Sequence, residues 1–151
     1  MVDFGGTSIL SETTELIGGE HILARRAKTP EVKARLLEIV HRYEKALQLV
    51  GEEVREGNPS PGNKAGGLTT LEEKSLGCIH KAGHREITEI YDYGKNVDKK
   101  GLVVMDTPGN DPSSVAGMVA GGAQIIVFST GRGTPTGNPI SPVIKITGNK
   151  I

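Results

Sequence analysis

Two acidic residues border a tight turn that follows a short apolar run. The stretch LVVMDTPGND, from Leu102 to Asp111, ends its apolar run at Asp106, and Asp111 stands directly before Pro112. An Asp followed by a proline predicts a helix N-cap at Asp111, whereas Asp106 is interpreted either as a turn residue or as a functional carboxylate. The Asp-x-x-Gly spacing also occurs in GTPases. The phosphate-binding pattern Gly-x-x-x-x-Gly-Lys-Ser/Thr is missing from the sequence, so nucleotide hydrolysis is not favoured.

A single arginine stands between two glycines in the stretch STGRGTP, directly after another apolar run. This residue is Arg132. A guanidinium binds a carboxylate or a phosphate through two hydrogen bonds, and flanking glycines let such a ligand approach the backbone N–H groups. The alternative is a solvent-exposed loop arginine. The pattern favours recognition of an anion.

The segment NPSPGNKAGGLTTLEEKS, from Asn58 to Ser75, combines prolines, glycines and the expected start of a helix. The positive end of that helix could hold an anionic group of a substrate. In the alternative interpretation, Thr70 and Glu73 only form a capping box and Lys74 lies on the exposed helix face. The sequence leaves both interpretations open. The candidate contacts are Asn63, Lys64, Thr69, Thr70, Glu73 and Lys74.

Two glutamates, Glu12 and Glu15, follow the first expected strand. Carboxylates that gather at the end of a strand suit a hard divalent cation, and the alternative is a pair of acids favoured by the dipole of a helix start. The stretch CIHKAGH, from Cys78 to His84, offers a thiol and two imidazoles, but Gly83 interrupts the helix and no fourth ligand has zinc spacing. A zinc site is therefore not favoured.

Short β-rich runs alternate with helical patterns along the chain. Several of these runs are continuously apolar, which is typical of parallel strands covered on both faces. Helices are expected from Thr29-Pro30 to Gly51, from Thr70 to Gly83, and from Asp111-Pro112 to Gly121-Gly122, each with a cap at its start and a glycine at its end. The expected strands are Thr7 to Ser11, Glu86 to Tyr91, Leu102 to Met105, Gln124 to Phe128 and Val143 to Thr147.

This pattern predicts an α/β fold: an open, mostly parallel sheet flanked by helices in a Rossmann-like three-layer arrangement, formed by residues 1–151 as a single domain,. Loops after the carboxyl ends of parallel strands meet at one edge of such a sheet, where ligands bind. We therefore expect a polar cleft at this edge. The loops in question read SETTE, DTPGND, STGRGTP and TGN.

The charge balance of the chain indicates which kind of binding partner to expect. Eighteen basic and eighteen acidic residues cancel, so the electrostatic signature of a nucleic-acid or membrane-surface protein is missing and a small-molecule partner is expected. The single cysteine, Cys78, excludes an internal disulfide and fits a reducing compartment,. No apolar run reaches the roughly 20 residues that span a bilayer. A cytoplasmic location is expected.

Taken together, these stretches resemble the altronate and galactarate dehydratase family, specifically its C-terminal catalytic region. The resemblance covers nearly the whole chain. The matching stretches are SETTELIGGEHILARRA, NPSPGNKAGGLTTLEEKSLG, DTPGNDP, GGA, and STGRGTPTG followed by IKITGN. Family enzymes are considerably longer, so the chain looks like a piece of such an enzyme. The stretch MDTPG is similar to altronate-type members and FSTGRGTP also to galactarate-type members, which leaves the substrate and the role of Asp106 open.

The resemblance implies elimination of water from a sugar acid to give a 2-keto-3-deoxy acid, assisted by a divalent metal, ferrous iron or manganese. It implies a substrate carboxylate at Arg132 and at the backbone of Thr130 and Gly131. The expected contacts to substrate hydroxyls are Asn63, Thr69 and Thr70, and Asp111 is a further expected substrate-binding residue. The expected catalytic residues are Lys74, Glu73 and Asp106. Glu12 and Glu15 are assigned to the metal or to the shell of residues around its ligands.

Alternatives from other classes remain open at this point. The chain could be a non-catalytic substrate half-site or assembly domain of a longer protein, or part of a sulfolactate-type lyase. A homo-oligomer and contacts with the remaining parts of a parent chain are further expectations.

Overall fold

The computed structural model describes residues 1–148. Short 3-10 turns occupy Val2–Phe4 and Thr13–Leu16. The strands are β1 (Thr7–Leu10), β2 (Ile87–Tyr91), β3 (Gly101–Met105), β4 (Ile126–Thr130) and β5 (Val143–Thr147). The helices are α1 (Glu20–Ala24), α2 (Pro30–Leu49), α3 (Val54–Gly57), α4 (Pro61–Ala65), α5 (Leu71–Lys81) and α6 (Asp111–Ala120).

All strand pairs in the described part of the chain are parallel. The first sheet has the order β1-β3-β2, with Ile9 opposite Val103 and Ile90 opposite Val104. The second sheet pairs β4 with β5 and places Val127 opposite Ile144. The predicted α/β class with parallel strands is thus confirmed, and the strands divide between two sheets instead of forming one.

The first sheet is covered on both faces. Leu102 and Val104 of β3 belong to the larger hydrophobic core, which α1, α2 and α5 complete. Because side chains alternate along a strand, Met105 lies on the opposite face, where its methyl group meets Gly121 at the end of α6. A smaller core joins α6 to β4 and also contacts Ile9 of β1. Helices therefore flank this sheet on two sides, as the three-layer prediction requires.

The two long helices begin and end where the sequence predicts. Thr29 accepts a hydrogen bond from the Val32 N–H and Pro30 is the first residue of α2. Thr70 caps α5 by accepting from the Glu73 N–H at 3.1 Å, and Gly83 lies beyond its end with a φ of 63°. The predicted capping box is only half present, because the Glu73 carboxylate accepts from the N–H of Thr69 instead of Thr70.

The N-cap of α6 is Asn110, which corrects the prediction of Asp111. The Asn110 Oδ1 accepts from the Ser113 N–H at 3.3 Å, and Asp111 is the first helical residue. Asn and Asp cap helices equally well. The first N–H groups of a helix have no intrahelical partner, so a proline without an N–H fits at the first or the second position. Pro112 therefore does not decide between the two caps.

The chain between α2 and α5 contains two short helices, α3 and α4, that the sequence analysis does not predict. The Ser60 and Asn63 side chains cap the start of α4 reciprocally. The predicted strand bounds need small corrections: β1 ends at Leu10, and β4 begins and ends later in the chain than predicted.

Within residues 1–148, no helix is both long and apolar enough to cross a membrane.

Candidate functional site

The loops that follow β1 and β3 are hydrogen-bonded to each other at the carboxyl edge of the first sheet. The Glu12 N–H donates to Thr107 Oγ1 at 2.7 Å, and the Thr13 N–H donates to the Thr107 carbonyl at 3.1 Å. Thr107 is itself buried and its hydroxyl pairs with Ser114 of α6. SETTE and DTPGND therefore form one rigid rim, as neighbouring parallel strands allow.

A lysine lies between two hydrogen-bond acceptors beside this rim. The Lys74 Nζ is 2.7 Å from Glu15 Oε2 and donates to Asn58 Oδ1 at 2.7 Å. The Asn58 Nδ2 donates to the same Glu15 oxygen at 3.0 Å. The side chains of Lys74 and Glu15 are only 20% and 15% exposed, so this ion pair is largely shielded from water. We call Glu12, Glu15, Asn58 and Lys74 the lysine cluster.

The position of α5 fixes the lysine. Ser75 is fully buried and donates its hydroxyl hydrogen to the Leu16 carbonyl at 2.8 Å, which ties the helix to the turn that carries Glu15. A Cβ at Gly19 would lie 2.6 Å from Ser75 Oγ, so a glycine is needed for this close approach. Because Ser75 is anchored, Lys74, which directly precedes it, is also held in a fixed position.

Glu12 has an unusual backbone and an unfavourable electrostatic environment. Its φ of 60° is left-handed, a conformation that costs a non-glycine residue about 1–3 kcal/mol and that occurs preferentially at functional sites. Burial raises the pKa of the Glu12 carboxyl, and the negative charges of Glu15 and Asp111 raise it further, against the opposing effect of Lys81 and Lys74. The Lys81 Nζ is 3.8 Å from its carboxylate.

The glycine of DTPGND makes room for a carboxylate. A Cβ at Gly109 would lie 2.5 Å from Glu15 Oε1 and 3.2 Å from Thr14 Oγ1. Contacts this short do not occur in folded proteins, so any side chain at this position would displace Glu15. The tight turn after β3 therefore leaves space for Glu15 of the lysine cluster.

The loop STGRGTP after β4 reaches the same region from the other sheet. The guanidinium of Arg132 lies directly over Gly62 in α4, where a Cβ would overlap its Nη1. Thr134 donates its hydroxyl hydrogen to Asp111 Oδ2 at 2.8 Å at the start of α6. Arg132 thus adjoins the segment that supplies Asn58. Four polar segments therefore contact one another at this edge of the first sheet. Asn149 of the predicted loop TGN lies outside the described residues.

Several predicted site residues have their hydrogen bonds satisfied locally. Glu73 Oε2 accepts from the N–H and the hydroxyl of Thr69, which lowers the pKa of the exposed Glu73 carboxyl. Thr70 is the cap of α5. Asn63 Oδ1 accepts from the Ser60 hydroxyl at 2.9 Å. Thr130 Oγ1 accepts from the Gly133 N–H within its own turn. Local structure accounts for these contacts without a ligand.

Asp106 connects three elements. Its carboxylate accepts from the Thr13 hydroxyl at 2.6 Å and forms an ion pair with Arg42 of α2. Its side chain is 22% exposed. These contacts hold the rim against the long helix, and a catalytic role for Asp106 stays a prediction.

Sequence reasoning missed three participants: Asn58, Lys81 and Arg42. Asn58 is the first residue of the segment Asn58–Ser75, in which the sequence favours Asn63 as the contact. Lys81 follows Lys74 by about two helical turns, which places both on one face of α5, so this signal was available. Arg42 is distant in sequence from Asp106 and only the fold pairs them.

The described residues do not form a complete metal site. Nowhere in residues 1–148 do three or more His, Cys, Asp or Glu side chains come together in a way that could hold a metal ion. Divalent cations such as Mg²⁺ and Mn²⁺ take about six oxygen-rich ligands, while the Glu15 carboxylate is already neutralised by Lys74. Glu12 and Glu15 therefore do not suffice for a metal, and metal dependence stays a prediction.

These features define an α/β protein in which polar and charged loops from two parallel sheets contact one another. All of residues 1–151 match the family described as D-galactarate/altronate dehydratase, C-terminal. The chain belongs to this family, which confirms the resemblance seen in its motifs.

Curated relatives agree with this assignment. The chain is 42% identical over 145 residues to altronate dehydratase of Bacillus subtilis. It is 43% identical over 146 residues to galactarate dehydratase (L-threo-forming) of Escherichia coli, and 37% identical over 147 residues to the (2R)-sulfolactate sulfo-lyase subunit beta of Chromohalobacter salexigens. These alignments cover 96%, 97% and 96% of this chain but only 29%, 28% and 38% of the relatives.

Proposed function

We propose that this chain forms part of the catalytic cleft of a sugar-acid dehydratase, which converts an altronate- or galactarate-type acid into a 2-keto-3-deoxy acid. The names of two relatives support the reaction class. The observation that carries the proposal is the shielded ion pair between Lys74 and Glu15, which lies beside Glu12 at the meeting point of the loops. A buried carboxyl with a raised pKa, such as that of Glu12, is typical of acid–base catalysis when it lies near other charged groups,.

The reaction needs one proton acceptor and one proton donor. The acceptor takes the proton from the carbon next to the substrate carboxylate, and the electron pair of that bond forms a carbon–carbon double bond. The bond between the neighbouring carbon and its hydroxyl oxygen breaks, and the donor supplies the proton with which this hydroxyl leaves as water. The resulting enol rearranges to the keto acid. Groups that ionise near the working pH perform such transfers best.

Lys74 is the proposed proton donor. Its Nζ directs hydrogens to Glu15 and Asn58, so these neighbours hold the ammonium group in a fixed position. Glu12 is the proposed partner in proton transfer, because burial and neighbouring acids raise the pKa of its carboxyl. A carboxyl with a raised pKa accepts and returns protons closer to neutral pH than an ordinary one.

Arg132 is the proposed binding site for the substrate carboxylate. A guanidinium suits a carboxylate geometrically, and Gly62 lets the Arg132 side chain lie against the backbone of α4. Asn63 and Asp111 flank this position and would contact substrate hydroxyls. A divalent metal would stabilise negative charge on the substrate carboxylate, but its ligands would have to come mainly from outside the described residues.

Replacing Arg132 tests the proposal. In a family-length protein that carries this chain, we expect Arg132→Ala to lower kcat/KM for altronate or galactarate by about a hundredfold or more, as for loss of a charged hydrogen bond. Release of keto acid is the measurement. Arg25→Ala is the matched control, since Arg25 is an exposed arginine outside the site. An unchanged kcat/KM for Arg132→Ala would remove this residue from the site.

A sulfolactate lyase is the second candidate, favoured by the similarity to the sulfo-lyase subunit. The same cleft would then position a sulfonate-bearing acid. Assaying the family-length protein with altronate, galactarate and sulfolactate in parallel separates the two functions. Turnover of sulfolactate alone would replace the dehydratase proposal, and no turnover together with binding of a sugar acid would favour a non-catalytic half-site.

A further inference from the structure

The second sheet has one covered face and one open face. Ile126, Phe128 and Val143 pack into the smaller core with α6. Because side chains alternate along a strand, the residues between them lie on the opposite face. Val127, Ile144 and Ile146 are there, and they are 60%, 51% and 49% exposed. Ile125, next to the start of β4, is also exposed. We call these four residues the open isoleucine–valine face.

An uncovered face of this kind is unusual for parallel strands. Parallel sheets are normally buried on both sides, since helices cover them, and a sheet of two strands has little stability of its own. The first sheet follows this rule: Leu102 and Val103 of β3, which point to opposite faces, are 2% and 0% exposed. The open isoleucine–valine face therefore lacks a layer that the other sheet has.

The chemistry of the face specifies an apolar partner. Lys145 is paired with Phe128 and so points to the other side of the sheet. The remaining position on the open face in β4 is the neutral Ser129, opposite Ile146. A face with four aliphatic side chains and no charge buries favourably only against other apolar groups.

We propose that polypeptide of the same protein, from outside residues 1–151, packs an apolar helix or strand surface onto the open isoleucine–valine face. The chain covers only 28% to 38% of its curated relatives, so family members have ample further chain. A stable interface between separate molecules takes about 20–30 residues on each side. This face is far smaller, which suits a covalently connected segment, because the connection removes most of the entropic cost of association. The proposal rests on family membership and not on the proposed reaction.

Thiol labelling tests this proposal directly. A cysteine is introduced by Val127→Cys in a family-length protein that carries this chain, and its reaction with a maleimide is followed by peptide-resolved mass spectrometry. The matched control is Lys33→Cys on the exposed side of α2. We expect the cysteine at 127 to react about tenfold or more slowly than the control, as for groups that react only after local opening. In urea the two rates should become equal.

Two results would overturn the proposal. Equal rates in the native protein would mean that nothing covers the face. Protection that disappears on dilution would mean that a second copy covers it, and not the same polypeptide. Ile146→Cys serves as a second variant if Val127→Cys does not fold. Because labelling does not depend on turnover, a failure here is distinguishable from a failure of the dehydratase proposal.

Discussion

The polar residues at the start of α5 and the neighbouring Lys74 differ in where their hydrogen-bonding partners lie in the sequence. Thr69, Thr70 and Glu73 satisfy one another at the exposed start of the helix, within a few residues of sequence. Lys74, the next residue, instead contacts Asn58 and Glu15 from two other segments and is largely shielded from water. Local hydrogen bonds are explained by the helix start that they stabilise. Shielded charges brought together from distant segments are costly, so they are the stronger candidates for function.

The largest effect is expected for Lys74. We predict that Lys74→Met in a family-length protein lowers kcat by about 10²–10⁴-fold, the range for loss of an acid–base group, because it removes the proposed donor. Steady-state release of keto acid is the measurement, with Lys33→Met, at an exposed lysine outside the site, as the matched control. If kcat of Lys74→Met equals that of the control, the lysine cluster has a structural role only.

Glu12 should show opposite effects on activity and stability. We predict that Glu12→Gln lowers kcat by about a hundredfold and raises Tm at neutral pH, since the amide removes a charge that burial disfavours. The native state binds the Glu12 proton more tightly than the unfolded chain, whose value is near 4.5. Stability is therefore lost as the pH rises through the raised native pKa.

The gain in Tm for Glu12→Gln should accordingly be larger at about pH 7.5 than at about pH 5. Thermal unfolding of both proteins at the two pH values measures this difference. A gain that is equal at both values would show that the native state does not raise the pKa of Glu12. A loss that grows with pH would show that the Glu12 carboxylate is favourably paired in the native state.

The smallest effect on catalysis is expected for Thr70, the N-cap residue of α5. We predict that Thr70→Ala lowers the free energy of unfolding by about 0.5–2 kcal/mol, the usual cost of a lost N-cap, and leaves kcat nearly unchanged. Denaturant unfolding and the keto-acid assay measure the two quantities, and Thr70→Ser, which keeps the hydroxyl, is the control. A large fall in kcat with unchanged stability would place Thr70 in the site after all.

Features that depend on neighbouring residues could be predicted from the sequence, whereas contacts between distant segments could not. The Thr29-Pro30 start of α2 and the stop at Gly83 depend on neighbouring residues, and both predictions were correct. The cap of α6 was wrong because Asn110 and Asp111 are locally equivalent. The pairing of Lys74 with Glu15, and of Asp106 with Arg42, depends on contacts that only the folded chain creates. The division of the strands into two sheets also depends on such contacts, so the composition of the strands did not reveal it.

The missing side chain at Gly109 leaves space for the Glu15 carboxylate. An alanine Cβ at this position would lie 2.5 Å from Glu15 Oε1, so the carboxylate would have to turn away from the loop after β3. The same carboxylate pairs with Lys74 through its other oxygen. An alanine at Gly109 would therefore weaken the ion pair of Lys74 although no charged residue had been altered.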